Sequence, residues 1–169
     1  MKIKIKEFNA DDILEAISIW NTVVEDGVAF PQLDMLDINT GLEFFNSQSY
    51  TGIAYDEEDN KILGLYILHP NNIGRCGHIC NASYAVKKNM RGKKIGEKLV
   101  KHCMYMGNKL GFKILQFNAV VQSNSGALHL YNKLGFTKLG IIPKGFLTID
   151  GVYENIIPHY INLEDKNTF

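Results

Sequence analysis

Around residues 87–96 the spacing of apolar side chains switches from the two-residue period of a strand to the period of a helix, and this switch most limits what the chain can fold into. Ahead of it, Tyr50–Tyr55, Lys61–His69 and Cys76–Val86 read as strands. The first two flank Asp56-Glu57-Glu58-Asp59-Asn60, an acidic turn of hairpin length that pairs them antiparallel. Behind it, Ile95, Leu99, Cys103, Met106 and Leu110 form the one-sided stripe of an amphipathic helix, with Gly111 as its stop. Phe112–Val121 is again an apolar strand. Strand, helix and strand in succession call for a crossover connection in the middle of an otherwise hairpin-built sheet.

The ends of the chain complete that sheet. Lys2–Phe8 alternates as a strand, and Ala10-Asp11-Asp12 offers a capping aspartate ahead of Ile13, Ile17, Trp20 and Val24, a helix that should end near Asp26-Gly27. After the loop Val28–Pro31, a second helix over Thr40–Ser47 buries Leu42 and Phe44 or Phe45. Asn124–Leu134 is a short helix with Gly135 as its cap. Phe136–Ile142 and Tyr153–Asn162 are strands around an Asp150-Gly151 turn. The class is α/β, with a mixed, mostly antiparallel sheet and helices packed on it. At 169 residues and 46% hydrophobic composition, the chain fits one domain over 1–169.

Eighteen basic and eighteen acidic residues cancel, so no global charge draws the protein to nucleic acid or to an anionic membrane. Cys76, Cys80 and Cys103 are odd in number and lack metal or redox spacing. With no signal-like apolar core at the N-terminus, they point to free thiols and a cytoplasmic location. The apolar run Ile62–Leu68 is far short of the roughly 20 residues that span a bilayer.

Against this neutral balance, Lys87–Lys101 holds seven lysines or arginines and one acid, Glu97. A lysine run alone reads as a solvated helix face. Here Gly92 and Gly96 sit within it at a strand-to-helix junction, where unpaired amides and the helix dipole favour an anion and missing side chains let it come close. That combination points to phosphate binding. Neither a P-loop nor a Gly-x-Gly-x-x-Gly dinucleotide turn is present, which removes the main signals for nucleotide hydrolysis and Rossmann chemistry.

Arg91-Gly92-Lys93-Lys94-Ile95-Gly96 resembles the Gln/Arg-x-x-Gly-x-Gly/Ala mark of the GCN5-related N-acetyltransferase (GNAT) superfamily, with Lys94 where the middle glycine usually stands. Asn124, Ala127, Leu130-Tyr131, Lys133 and Gly135-Phe136 are similar to the family's second block. The resemblance runs from Lys2 to Asn162. It implies a single domain with a splayed central sheet and about four helices, and acetyl-CoA as acetyl donor. Tyr84, Ala85 and Val86 would line its pantetheine arm. Arg91, Gly92, Lys93, Lys94, Ile95, Gly96 and Glu97 would hold its phosphates, with Asn124, Ala127, Tyr131 and Lys133 completing the donor site. Family habit also suggests a homodimer. His78–Tyr84, Phe117-Asn118, Gly145-Phe146 and Asp150–Tyr153 are similar to the subgroup that acetylates phosphinothricin and azetidine-2-carboxylate. This implies a small-amine acceptor, with amino acids and their analogues foremost, and substrate-binding roles for Asn81 and Asn118.

The chemistry needs a neutral amine, a polarised thioester carbonyl and a proton for the departing sulfur. Tyr131 suits the last, since a phenol near pKa 10 can protonate a thiolate near 8.5 at modest cost. A backbone N–H near Ala85-Val86 is expected to polarise the carbonyl for direct transfer through a tetrahedral intermediate. No Asp, Glu or His stands where a general base is needed. Asn118 and Asn81 can orient an amine or hold a relaying water but cannot take its proton. Phe30 would wall the acceptor site or serve as plain core. His78 and Cys80 alternate onto one strand face as a possible thiolate–imidazole pair, though a small buried hydrophobe is the commoner role for such a cysteine. No metal is expected. Competing functions are a non-catalytic acetyl-CoA sensor and an acetyltransferase acting on protein amines.

Overall fold

The computed structural model describes residues 1–164; the last five residues of the domain expected over 1–169 lie outside the described residues. Eight strands form one sheet: β1 (Ile3–Glu7), β2 (Tyr50–Asp56), β3 (Ile62–Pro70), β4 (Ile79–Val86), β5 (Ile114–Val121), β6 (Thr137–Lys138), β7 (Ile142–Leu147) and β8 (Tyr153–Asn162). Their order is β1-β2-β3-β4-β5-β8-β6, with β7 also paired to β8. Helices α1 (Ile13–Asp26) and α2 (Ile38–Asn46) cover one face, and α3 (Ile95–Lys109) and α4 (Ser125–Lys133) the other. β3 explains the two-sided core. Leu63, Tyr66 and Leu68 face α3 while Ile62, Leu65 and Ile67 face α1 and α2, so its apolar run is continuous instead of alternating.

The crossover lies where the period switch puts it, and β4 and β5 are the parallel pair it joins. They pair only at Ile79 with Ile114 and Cys80 with Leu115; beyond Cys80 the two strands part. β4 stays hydrogen-bonded to β3 along its other edge as far as Val86. β5 turns toward β8, with a bulge between Phe117 and Val120 that leaves Asn118 and Ala119 outside the regular register. The sheet therefore opens into a wedge between α1 and α4.

Several boundaries differ from the expectations. α1 is entered through a 3-10 turn, Ala10–Asp12, and its cap is a reciprocal box between Asn9 and Asp12. The Asp12 carboxylate accepts from the Asn9 amide at 3.0 Å and from Lys6 Nζ at 2.7 Å. α2 starts earlier because Asp37 caps it through Thr40 N at 2.8 Å. β4 is shorter than Cys76–Val86, since Gly74–Cys76 is a 3-10 turn. The strand expected over Phe136–Ile142 is two strands. Pro158 on β8 supplies a carbonyl to Leu139 N at 2.9 Å but has no N–H to return, so the ladder lapses and resumes at Ile142 opposite Ile156. Among the described residues no helix is long and apolar enough to cross a membrane.

Candidate active site

Two cavities occupy the wedge. The larger, about 870 Å³, runs from the start of α3 along α4 and is lined by Tyr84, Val86, Arg91, Gly92, Lys94, Ile95, Gly96, Glu97, Asn124, Ala127, Tyr131 and Lys133, with Val28 and Ala29 from the loop after α1. The smaller, about 220 Å³, lies between the diverging strands and takes in Phe30, Asn81, Ser83, Phe117 and Asn118. Ala29, Tyr84, Asn124, Ala127 and Tyr131 line both, so the cavities adjoin around these residues.

The head of the larger cavity is formed by the backbone at the start of α3. Lys94, the residue before α3, has a left-handed φ of 63° and makes no side-chain cap, so the first amides of α3 are left for a ligand. Lys94 thus takes the conformation that a glycine at this place would take. A Cβ at Gly96 would lie 3.8 Å from Leu130 Cδ2 and 3.9 Å from Val86 Cγ2, pointing across the cavity floor between α3 and β4. The basic side chains are partly engaged. Glu97 binds Lys101 at 2.8 Å and Lys133 at 2.6 Å, and these partners hold its carboxyl down at about 2. Its ion pair with Lys133 ties α3 to α4 at the cavity mouth. Lys93 donates to Met90 Sδ at 3.3 Å and lies outside the cavity lining.

The walls of the wedge follow from strand alternation. His78 O accepts from Lys113 N on the β5 side, whereas Lys87 N donates to Leu63 O on the β3 side. Even-numbered residues of β4 therefore turn their amides to the gap and odd-numbered ones to β3. Asn81 Oδ1 covers the Ala82 amide at 2.8 Å, leaving Tyr84 and Val86 to present N–H groups to the opening. Ala85 is turned to β3, is 1% exposed and packs in the α1 layer, away from both cavities.

Tyr131 is held by rings. Its centroid lies 4.5 Å from Phe117, 5.3 Å from Phe136 and 5.8 Å from His159. Burial pushes its phenol well above the usual range, so the hydroxyl stays protonated at any ordinary pH but is a weaker acid than the free phenol. Tyr84 packs edge-on against the same Phe117 at 5.8 Å. Its hydroxyl is buried without a hydrogen bond: the Cys103 thiol is near enough to influence its ionisation, but not in bonding geometry.

Asn118, displaced by the β5 bulge, is fixed by a reciprocal amide pair that the sequence did not reveal. Its Nδ2 donates to Asn71 Oδ1 at 2.7 Å, and its Oδ1 accepts from Asn71 Nδ2 at 3.2 Å and Gln116 Nε2 at 3.0 Å. Asn71 lies 47 residues away in a loop that reads only as a turn. Asn124 caps α4 through Ala127 N at 3.2 Å. Phe30 is buried, packs tilted against Trp20 with ring centroids 4.5 Å apart, and lines the smaller cavity. His78 lies in the turn before β4 and is exposed, while Cys80 is buried, donates to Ile114 O at 3.3 Å and has its thiol pushed up to about 12. They form no nucleophilic pair.

Comparison with known proteins shows the family of the chain and agrees with its fold. A family model described as acetyltransferase (GNAT) family matches residues 16–136. The N-acetyltransferase aca1 of Schizosaccharomyces pombe is 30% identical over 150 residues, covering 79% of this chain and 72% of that protein. Among solved structures, yncA of Salmonella typhimurium, a putative acetyltransferase with its cofactor acetyl-CoA, superposes with a TM-score of 0.89 at 15% identity, covering 98% of this chain and 96% of that one. A phosphinothricin acetyltransferase from Sinorhizobium meliloti in complex with AcCoA gives 0.87 at 17% identity, covering 96% and 89%. The chain belongs to the acetyltransferase (GNAT) family and is an acetyl-CoA-dependent N-acetyltransferase.

Proposed function

We propose that the larger cavity takes acetyl-CoA, with its diphosphate on the amides heading α3, and that the smaller cavity takes a small amine, an amino acid or a close analogue, which is acetylated directly. The observation that carries this reading is that the two cavities adjoin around the residues they share, Tyr131 among them, in the β4–β5 gap. An acyl group reaching the end of the first cavity meets an amine in the second at that hydroxyl and at the open amides of Tyr84 and Val86.

Each residue then has a role. The Tyr84 and Val86 amides stabilise negative charge on the acyl oxygen. Tyr131, kept protonated by burial, hydrogen-bonds the leaving sulfur and gives it the proton as the C–S bond breaks, a transfer that its raised pKa makes costlier than for a free phenol. Asn81 and Asn118 orient the acceptor. Oδ1 of Asn118 already accepts two hydrogen bonds and Nδ2 gives one, so one N–H remains; Asn81 keeps both N–H groups, and Ser83 adds a hydroxyl. Three N–H donors with no charged side chain in the lining favour an acceptor that brings its own carboxylate or carbonyl. A volume of about 220 Å³ suits a molecule of amino-acid size.

Incubation with acetyl-CoA and a panel of amino acids, their cyclic analogues and simple amines, read by mass spectrometry, should show one acetyl group gained by a small carboxylate-bearing amine. Tyr131→Phe should lower kcat on that acceptor by about 10²-fold with little change in coenzyme affinity. Coenzyme binding without turnover of any amine above hydrolysis would refute the catalytic reading in favour of a sensor. Full activity of the phenylalanine variant would refute the proton-donor role.

A further inference from the structure

The loop that heads α3 has a conflict built into it. Its amides must stay unpaired to receive a diphosphate, and Lys94 holds a left-handed backbone without a cap, so the loop cannot be fixed by capping bonds of its own. Something outside it must place its basic side chains. Lys87 N to Leu63 O at 2.9 Å anchors the start of the loop, and Lys98 N to Lys94 O at 3.1 Å begins the helix. Lys87 Nζ also lies 3.7 Å from Glu15 on α1, and beyond it two of the loop's basic side chains share one carboxylate. Asp26, the last residue of α1, binds Lys88 Nζ at 3.2 Å and Arg91 Nη2 at 3.5 Å, with its own side chain 26% exposed against 69% and 59% for the two cations.

Asp26 is itself well placed. Gly27, which follows it, has a φ of 59°, and a Cβ there would meet Ile149 Cβ at 2.6 Å; Gly27 O accepts from Ile149 N at 3.0 Å. The end of α1 is thus pinned to the β7–β8 turn, and Asp26 projects from a fixed point toward the mouth of the larger cavity.

We propose that Asp26 is a positioning residue for the donor site: it holds Arg91, which lines the larger cavity, and steadies the loop through Lys88 beside it, so that less side-chain freedom is lost when the coenzyme phosphates arrive. The inference rests on the functional reading above. It also sets a sign that simple electrostatics would reverse. Removing an anion beside a phosphate site raises the local positive potential and should tighten binding, whereas removing a positioning group loosens it.

The test is coenzyme A titration by calorimetry with the wild type, Asp26→Asn, Asp26→Glu, Arg91→Met and the double variant Asp26→Asn/Arg91→Met, alongside donor and acceptor kinetics. Asp26→Asn should weaken coenzyme binding about three- to tenfold, the range two partly exposed ion pairs can supply. Donor KM should rise with it, while kcat and acceptor KM at saturating donor stay within about twofold. Asp26→Glu should recover most of the loss. In the Arg91→Met background the loss should shrink, because Asp26 acts largely through Arg91. Equal or tighter binding by Asp26→Asn overturns the inference, as does an undiminished effect in the Arg91→Met background or a rise confined to acceptor KM. A wild type that binds no coenzyme A would overturn the functional reading with it.

Discussion

An acceptor cavity without an ionisable base makes a quantitative demand on the pH dependence of the reaction. Its lining, from Phe30 through Asn81, Ser83 and Asn118 to Tyr131, holds no Asp, Glu, His, Lys or Arg. The titrating side chains in that lining are Tyr84 and Tyr131, and burial moves both up and out of the working range. His159 packs on Tyr131 but is fully buried, does not line the cavity, and burial lowers its imidazole below the usual value. The amine must therefore lose its proton to water before or as it binds, and kcat/KM for the acceptor should follow the neutral fraction of that amine. For an α-amino group near pKa 8, the neutral fraction is about 1% at pH 6, about 9% at pH 7 and about 50% at pH 8. The rate constant should thus climb about 50-fold over those two units, with a slope near one at the acid end. An amine near pKa 10.5 should still be climbing at pH 9. The assay is thiol release at subsaturating acceptor and saturating acetyl-CoA, buffered from pH 6 to 9.5, for two acceptors of different basicity. The inflection should move with the acceptor. An inflection fixed near 6 to 7 for both would show an enzyme carboxylate or imidazole acting as base, and would refute the reasoning from the cavity lining.

Two further outcomes concern stability. Lys94→Gly should raise stability by about 0.5–1 kcal/mol in urea denaturation, since relief of a left-handed residue, about 1–2 kcal/mol, exceeds the entropic cost of a glycine, about 0.5–1. Coenzyme affinity should change less than about threefold, because the backbone that holds the diphosphate keeps its shape. His102 is buried with Tyr66 Oη 2.9 Å from its Nδ1, and burial holds its imidazole down at about 4 against 6.5 when unfolded. The unfolded chain then binds a proton first as pH falls. The stability this group contributes is whole above pH 6.5 and is lost between there and about pH 4, by at most about 3 kcal/mol. Urea midpoints measured across that window should flatten in His102→Gln if the fold tolerates the change; an equal slope in the variant would assign the loss elsewhere.

What the sequence revealed and what it hid divide along a physical line. α3 is legible because its apolar stripe, its stop at Gly111 and the basic head at Arg91–Lys94 are all local, and local spacing survives any tertiary context. The hairpin of β2 and β3 is legible for the same reason. The position of Tyr131 in space is not local. It depends on the β4–β5 pairing ending at Cys80 and on a bulge that turns Asn118 out of register, and neither leaves a pattern in one strand alone. The Asn71 partner of Asn118 is invisible for the same reason: an asparagine in an Asn-Asn turn is sufficiently explained by the turn. Ala85 shows the converse. It belongs to the segment that lines the wedge, yet strand alternation turns it into the α1 layer, so a residue-by-residue carry-over across a strand must be filtered by parity before it can name contacts. Applied to β4, that filter moves the candidate oxyanion donors to the Tyr84 and Val86 amides. Applied to β8, where Pro158 withholds one N–H, it splits a single expected strand in two. In both strands the decisive quantity is which edge a backbone N–H faces, a property of pairing that composition and periodicity do not encode.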